Sequence, residues 1–219
     1  MEYDPEQKTA KMIEKYGRLD GKSVLEVGCG KGKISSYLAD NTKEYIAIDP
    51  DEQALAQALE SYKNVDFRKG SGESLQFDDY TFDRVLFTLS LHHQNSLPAL
   101  KEAHRVLTDN GCLLVVEPNV HGAFQQFFHL FEDETEAIET AFNNLNHSSF
   151  SFDLKHCFLT EAVFENLDDL CTYDFDRDTI DISDNDRIIA FLEKIQPGAS
   201  KQRPIVLDDR LDLYLLSKN

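Results

Sequence analysis

Cysteine is scarce in this chain: Cys29, Cys112, Cys157 and Cys171 are the only four in 219 residues, and no two form a CxxC pair. That spacing excludes a zinc cluster and a disulfide framework, so the thiols are expected to be reduced and mostly buried. Basic residues are also few, with 22 Lys plus Arg against 40 Asp plus Glu and a net charge of -18. Such a balance repels a polyanion and no local basic cluster opposes it. Neither a nucleic acid nor a membrane surface is therefore expected as a partner. Long apolar runs are missing as well. Asp4, Glu6, Lys8, Lys11, Glu14 and Lys15 interrupt the first twenty residues, unlike a secretory leader or a membrane anchor, and a cytoplasmic location is expected. What remains is ordinary for a globular protein, 41% hydrophobic and 28% charged. The length suits one domain over 1–219 with an insertion better than two independent cores.

The pattern along the chain alternates strands and helices. An N-terminal helix is expected over Asp4 to Tyr16, within residues 1–19, with Asp4 as cap and Pro5 at the first helical position. The apolar run Ser23-Val24-Leu25-Glu26-Val27 predicts a strand that enters a glycine loop and then a helix from Lys33 to Ala39. Strands follow at Glu44 to Ile48, Val65 to Arg68, Asp83 to Thr88 and, after an Asn110-Gly111 turn, Cys112 to Glu117. Helices intervene at Pro50 to Glu60 and Ser96 to Leu107. Strands separated by helices at this spacing imply right-handed parallel crossovers, hence an α/β fold with a doubly wound, mostly parallel sheet.

After Pro118 the rhythm changes. Phe124, Phe127, Phe128 and Phe131 recur at helical spacing and an acidic stretch follows, so 121–150 reads as a helical insert or cap. Its aromatic stripe either packs on the sheet or on a second copy of the chain in a homodimer, or it covers an apolar substrate pocket. Residues 151–219 are expected to complete the sheet, with a helix after Thr160, a strand at Cys171 to Asp176, a helix from Asn185 to Lys194 and a last strand at Leu211 to Leu216. Asp174-Phe175-Asp176-Arg177-Asp178 invites a calcium reading. It fails because Thr179 stands where the sharp turn needs Gly and Asn185 where a bidentate Glu is needed, so no metal is expected.

The chemistry is concentrated in Glu26-Val27-Gly28-Cys29-Gly30-Lys31-Gly32. Alternate glycines let the backbone turn tightly and let a ligand approach its amides at a helix start, a favourable place for an anion. Dinucleotide folds use GxGxxG, but here Lys33 occupies the place of the third glycine. Glu26, ionised in an apolar strand, is costly to bury alone and would repel a pyrophosphate. A ligand carrying both an ammonium and a carboxylate suits the acid and the amides together.

Val24-Leu25-Glu26-Val27-Gly28-Cys29-Gly30-Lys31-Gly32 resembles the first motif of class I S-adenosylmethionine-dependent methyltransferases. Asp49, 21 residues after Gly28, matches the acid that receives the ribose hydroxyls in that family. Gly70-Ser71-Gly72-Glu73-Ser74-Leu75, Phe82-Asp83-Arg84-Val85 and Leu91-His92-His93 are similar to the adenine-side loop and fourth strand of its small-molecule branch, the methyltransferase type 11/25-like group. Leu107-Thr108-Asp109-Asn110-Gly111-Cys112-Leu113 resembles the turn into its fifth strand. The family often has Asp where Ser71 stands, so the adenine contact is expected from Ser71, Gly72 and Glu73 instead. The resemblance covers about residues 20–118 and implies a Rossmann-like sheet of seven strands with S-adenosylmethionine as the cofactor.

What the resemblance implies for the site is specific. Glu26, Gly28, Cys29, Gly30 and Gly32 would hold the methionine end. Asp49 and Pro50 would hold the ribose, and Ser71, Gly72 and Glu73 with the backbone near Phe87 and Thr88 would hold the adenine and sulfonium regions. His92 and His93, just past the fourth strand, are the candidate general bases, with His121 a weaker one; a neutral imidazole suits a hydroxyl or amine acceptor at pH 7. Each has a structural alternative. Asp49-Pro50 also describes a helix cap, a histidine pair can be a turn element, and Cys29 needs only to be small. The expected activity is methyl transfer by in-line displacement to an O, N or C atom of a small, partly apolar metabolite, entering above His92, His93 and Asn119. A non-catalytic S-adenosylmethionine-binding or regulatory protein and a nicotinamide-dependent oxidoreductase are the alternatives, separable by turnover and by NAD(P)H binding.

Overall fold

The computed structural model describes residues 1–131, 133–171 and 185–218. In chain order the elements are β1 (Glu2–Tyr3), α1 (Lys8–Gly17), β2 (Ser23–Val27), α2 (Lys33–Leu38), β3 (Glu44–Asp49), α3 (Glu52–Ser61), β4 (Asp66–Lys69), β5 (Phe82–Thr88), α4 (Ser96–Val106) and β6 (Leu107–Pro118). They continue with α5 (Ala123–Phe128), α6 (Thr135–Asn146), β7 (Phe150–Phe164), α7 (Leu167–Cys171), α8 (Asn185–Ile195), a 3-10 turn at Ala199–Lys201 and β8 (Ile205–Lys218). The strands form one eight-stranded sheet in the order β1-β7-β8-β6-β5-β2-β3-β4. The α/β class holds, but the sheet is mixed and has an eighth strand, because the two-residue β1 joins antiparallel to β7 through Glu2↔Val163 and Tyr3↔Ala162.

The contacts divide the chain into two compact units. The larger comprises Thr9–Glu117, Ala137–Cys157 and Asp212–Asn219, and the smaller comprises Met1–Lys8, Pro118–Glu136 and Phe158–Leu211. In the larger unit β2 pairs in parallel with β3 and with β5, β3 with β4, and β5 with β6. Every residue of β2 is buried, which explains its uninterrupted apolar reading: a central parallel strand is covered on both faces. The core gathers Leu25, Val27, Ile46, Phe82, Phe87 and Leu113 with Tyr214 and Leu216, each contributing about 2 kcal/mol by leaving water. Successive connections run from β2 to β3 and β4 on one side, while β5 and β6 lie on the other. The chain order therefore reverses at β2, where open α/β sheets form a crevice at the carboxyl ends of their strands.

The smaller unit has its own core of Phe127, Phe164, Leu170, Ile188, Leu192 and Leu207, on which Phe124 and Phe131 pack. Phe127 is fully buried, edge-on to Phe131 and to Phe164 at centroid distances of 5.4 and 6.3 Å. Phe124 and Phe127 of α5, and Phe131 just beyond it, thus pack inside the smaller unit.

Several local readings change. The first helix starts at Lys8 rather than Asp4. Asp4 instead adopts φ 47 and donates its N–H to the Glu161 carbonyl at 2.9 Å, and its Oδ1 accepts from the Lys8 N–H and the Thr160 hydroxyl, both at 2.7 Å. Strand-like tethering wins there over the cap-and-proline signal. Thr160 lies inside β7, not before a helix, and Phe158, Thr160, Ala162 and Phe164 alternate as buried positions with period two. β8 begins six residues earlier than Leu211. The Asn110-Gly111 turn is absorbed into β6, where the pairing slips between Phe82↔Leu107 and Arg84↔Cys112. Cys171 ends α7, and the rest of the strand expected to Asp176, with the aspartate-rich stretch, lies outside the described residues. Of the four free thiols only Cys171 is buried; Cys157 is exposed, and Cys29 and Cys112 are half-buried.

Candidate cofactor site

A cavity of about 480 Å³ opens in the larger unit where β2, β3 and β5 end. Gly28, Gly30, Asp49, Pro50, Ser71 and Gly72 line it, all of them marked by the sequence as cofactor residues, and His93 lines it too. Glu26, Cys29, Gly32, Glu73, Phe87 and Thr88 are not among the lining residues, and neither are His92 and His121.

The loop after β2 takes a conformation that L side chains disfavour, with φ 80, 51 and 75 at Gly28, Gly30 and Gly32. A Cβ at Gly28 would stand 2.4 Å from Cβ of Ser90, whose hydroxyl donates to the Val27 carbonyl at 2.6 Å. Around Gly30 the space that a Cβ would occupy is open, as required of a surface that a ligand covers. The amides are less exposed than the sequence implies. The Gly28 and Cys29 N–H groups donate to the Ile48 carbonyl at 2.8 and 3.1 Å, Gly30 N–H to Asp49 Oδ2 at 2.7 Å and Gly32 N–H to the Cys29 carbonyl at 3.0 Å. The expectation of unpaired loop amides is corrected to this extent, because the loop folds back on the end of β3.

Asp49 is the hinge of the arrangement. Its Oδ2 holds Gly30 N–H, its Oδ1 accepts from Asp51 N–H at 2.9 Å, and the carboxylate is buried while lining the cavity. The cap of α3 is not Asp49 but Asp51, which accepts from Gln53 and Ala54 N–H at 2.8 and 3.2 Å. Asp49 is therefore fixed by two backbone donors without serving as the helix cap.

Glu26 lies behind this surface, 1% exposed, and accepts from the Tyr45 hydroxyl at 3.0 Å. Burial pushes its pKa above the ordinary carboxylate range and the Asp49 charge adds to that, while the hydroxyls of Ser35, Tyr45 and Thr88 pull it partly back. Among the described residues no cation pairs with it. The Cys29 thiol is pushed far up by burial first and by Glu26 and Asp49 next, which disfavours the thiolate.

The loop between β4 and β5 is anchored from α4. Arg105 donates to the carbonyls of Leu75 and Phe77 at 3.0 and 2.8 Å, and Glu102 accepts from Leu75 N–H at 2.9 Å. Glu73 turns its carboxylate to Asn95 N–H at 2.7 Å, at the start of α4. The histidines divide. His92 is buried, with Nδ1 bonded to Glu117 Oε2, and the His92 and His93 rings are in contact, centroids 3.9 Å apart and planes tilted by 42°. Val27, Asp51, Gly70, Leu89, Ser90 and Gln94 also line the cavity and were not singled out. Leu89, at φ 55, carries no sequence mark for that turn. Gly70 and the polar pair Ser90 and Gln94, so near His93, did carry one.

Residues 25–115 match the model of a family described as a methyltransferase domain. A protein of Mycolicibacterium smegmatis described as a probable S-adenosylmethionine-dependent methyltransferase is 35% identical over 103 residues, covering 47% of this chain and 40% of that protein. A demethylmenaquinone methyltransferase of Renibacterium salmoninarum is 28% identical over 153 residues, covering 69% of this chain and 63% of its own length. The chain thus spans about half the length of these curated relatives. Among solved structures, the YcgJ protein of Bacillus subtilis superposes with a TM-score of 0.65 at 18% identity, covering 97% of this chain and 99% of that one, which speaks for the fold alone. Residues 25–115, which carry the glycine loop, the acid at the end of β3 and the reversal of strand order, are thus similar to the type 11 methyltransferase domain and to probable S-adenosylmethionine-dependent methyltransferases.

Proposed function

We propose that the chain binds S-adenosylmethionine in the cavity at the ends of β2, β3 and β5 and transfers its methyl group to a small, partly apolar acceptor. The observation that carries this reading is Asp49: a buried carboxylate, oriented by Gly30 and Asp51 N–H, lines the same cavity as the glycine loop. A carboxylate so placed has lone pairs left for two vicinal hydroxyls. The volume lies within the range of small-molecule sites, and the open space over Gly30 fits a ligand pressed against the loop.

When bound, the cofactor supplies an electrophilic methyl on a sulfonium, whose thioether is a good leaving group. The chain's own residues have the work of binding and positioning. Glu26, desolvated and without a cationic partner among the described residues, suits the ammonium; Asp49 suits the ribose; Ser71 and Gly72, on the loop held by Arg105, suit the adenine. In-line displacement then needs alignment and exclusion of water more than a covalent intermediate. His93, the cavity-lining imidazole, stands nearest to the role of taking a proton from an acceptor hydroxyl or amine.

For the acceptor, the net charge of -18 disfavours nucleic acid, and demethylmenaquinone methyltransferases among the relatives favour a small apolar ring or chain. Isothermal titration of the folded chain with S-adenosylmethionine and S-adenosylhomocysteine tests the binding half, and cofactor consumption across a panel of quinol, phenol and amine acceptors tests the transfer. Binding with no turnover on any acceptor would favour a sensor.

A further inference from the structure

Glu117 ends the buried part of β6. Its side chain is buried, and it grips the turn after β5 at two points: Oε1 accepts from the Leu91 N–H at 2.9 Å and Oε2 bonds His92 Nδ1. His92 is buried as well, with its ring in tilted contact with that of His93, and of the two only His93 lines the cavity. Backbone and ring of the same turn are therefore held by one carboxylate.

We infer that Glu117 is a positioning residue, which fixes the His92 proton on Nδ1 and makes that ring the platform that sets His93 at the cavity wall. The reasoning is geometric. An acid that already accepts a backbone N–H with one oxygen offers the other as an acceptor, so the imidazole must place its N–H there. The hydrogen bond at one ring nitrogen decides which tautomer forms. Because the Leu91 N–H holds the Glu117 carboxylate in place, the ring of His92 cannot rotate without giving up its bond to a fixed acceptor. His93 then rests against a fixed ring, which removes rotamer freedom from the imidazole that lines the cavity. The inference rests on the cofactor reading for its functional meaning, but the Glu117–His92–His93 order stands on the geometry alone.

The test is a long-range 1H–15N correlation on the full chain labelled at histidine, at pH 7.5, with His92 and His93 assigned by the signals lost in His92→Gln and His93→Gln. The expected wild-type result is the Nδ1–H tautomer at His92. In Glu117→Gln the carboxamide oxygen takes the Leu91 N–H and its NH2 faces Nδ1, so the ring should invert to Nε2–H and the His93 signals should move with it. Glu117→Asp should restore Nδ1–H. An Nε2–H ring in the wild type, or the same tautomer in folded Glu117→Gln as in wild type, overturns the inference. If Glu117→Gln does not fold, the wild-type spectrum and Glu117→Asp decide. Titrating S-adenosylhomocysteine into the same wild-type sample separates the two readings: no binding beside an Nδ1–H His92 removes the cofactor reading and leaves the positioning role in place.

Discussion

At the scale of single residues, the site places one acid, Glu26, where its surroundings oppose its charge. Glu26 has its pKa raised by burial, so as pH climbs from the ordinary carboxylate range the unfolded chain loses the proton before the folded one does. Stability is lost over that window, up to the folded pKa. Removing the charge should relieve the apo protein and harm the complex. Glu26→Gln is therefore expected to raise the unfolding temperature at pH 7 and to weaken S-adenosylmethionine binding roughly tenfold, the loss of one charge-assisted contact; a lower unfolding temperature with unchanged binding would contradict this. Asp49 was legible from its place after an apolar strand, but its alternative as helix cap was settled only by structure, where Asp51 takes the cap. Two acids flank one proline at that corner, and sequence alone cannot tell which side chain turns toward the helix.

At the scale of elements, the succession from β2 to β6 was legible because each piece carries a local signal: a β-branched run, a glycine turn, an apolar helical stripe. Thr160-Glu161-Ala162 misled because its propensity is helical, whereas the pairing of β7 and the period-two burial of Phe158 to Phe164 decide its form. Asp4 misled for the same reason, since its hydrogen bonds with Glu161 and Thr160 depend on a strand that in sequence lies as far off as Thr160, 156 residues away. The dyad of His92 with Glu117 was invisible, as it joins the ends of two parallel strands 25 residues apart. The loop bearing Ser71 and Gly72 depends on α4 through Arg105. Arg105→Ala should cost about 1–2 kcal/mol, several lost hydrogen bonds partly replaced by water, and should weaken S-adenosylhomocysteine binding several-fold, read by thermal unfolding and titration. Unchanged affinity would mean that the loop holds its shape without α4.

At the scale of the whole molecule, charge and burial set how stability follows pH. Asp209, buried in the smaller unit beside Tyr3, is pushed up to about 6, chiefly by burial and further by Asp4, against the hydrogen bond from Tyr3. Its unfolded value lies near 4, so the stability present at pH 4 is lost as pH rises through 6. The Asp209→Asn chain should therefore gain on the wild type by up to about 3 kcal/mol between pH 4 and pH 7, measured as the difference between their denaturant midpoints at each pH. A constant difference across that range would show that Asp209 titrates normally.

The central claim is that the crevice at the ends of β2, β3 and β5 holds S-adenosylmethionine through Asp49, and calorimetric titration of S-adenosylhomocysteine into wild type and Asp49→Ala tests it most directly. The account predicts one saturable site in the wild type and an affinity at least tenfold weaker in Asp49→Ala, about 1.4 kcal/mol. Folded wild type that takes up no S-adenosylhomocysteine, or an Asp49→Ala chain that binds it equally well, would contradict it.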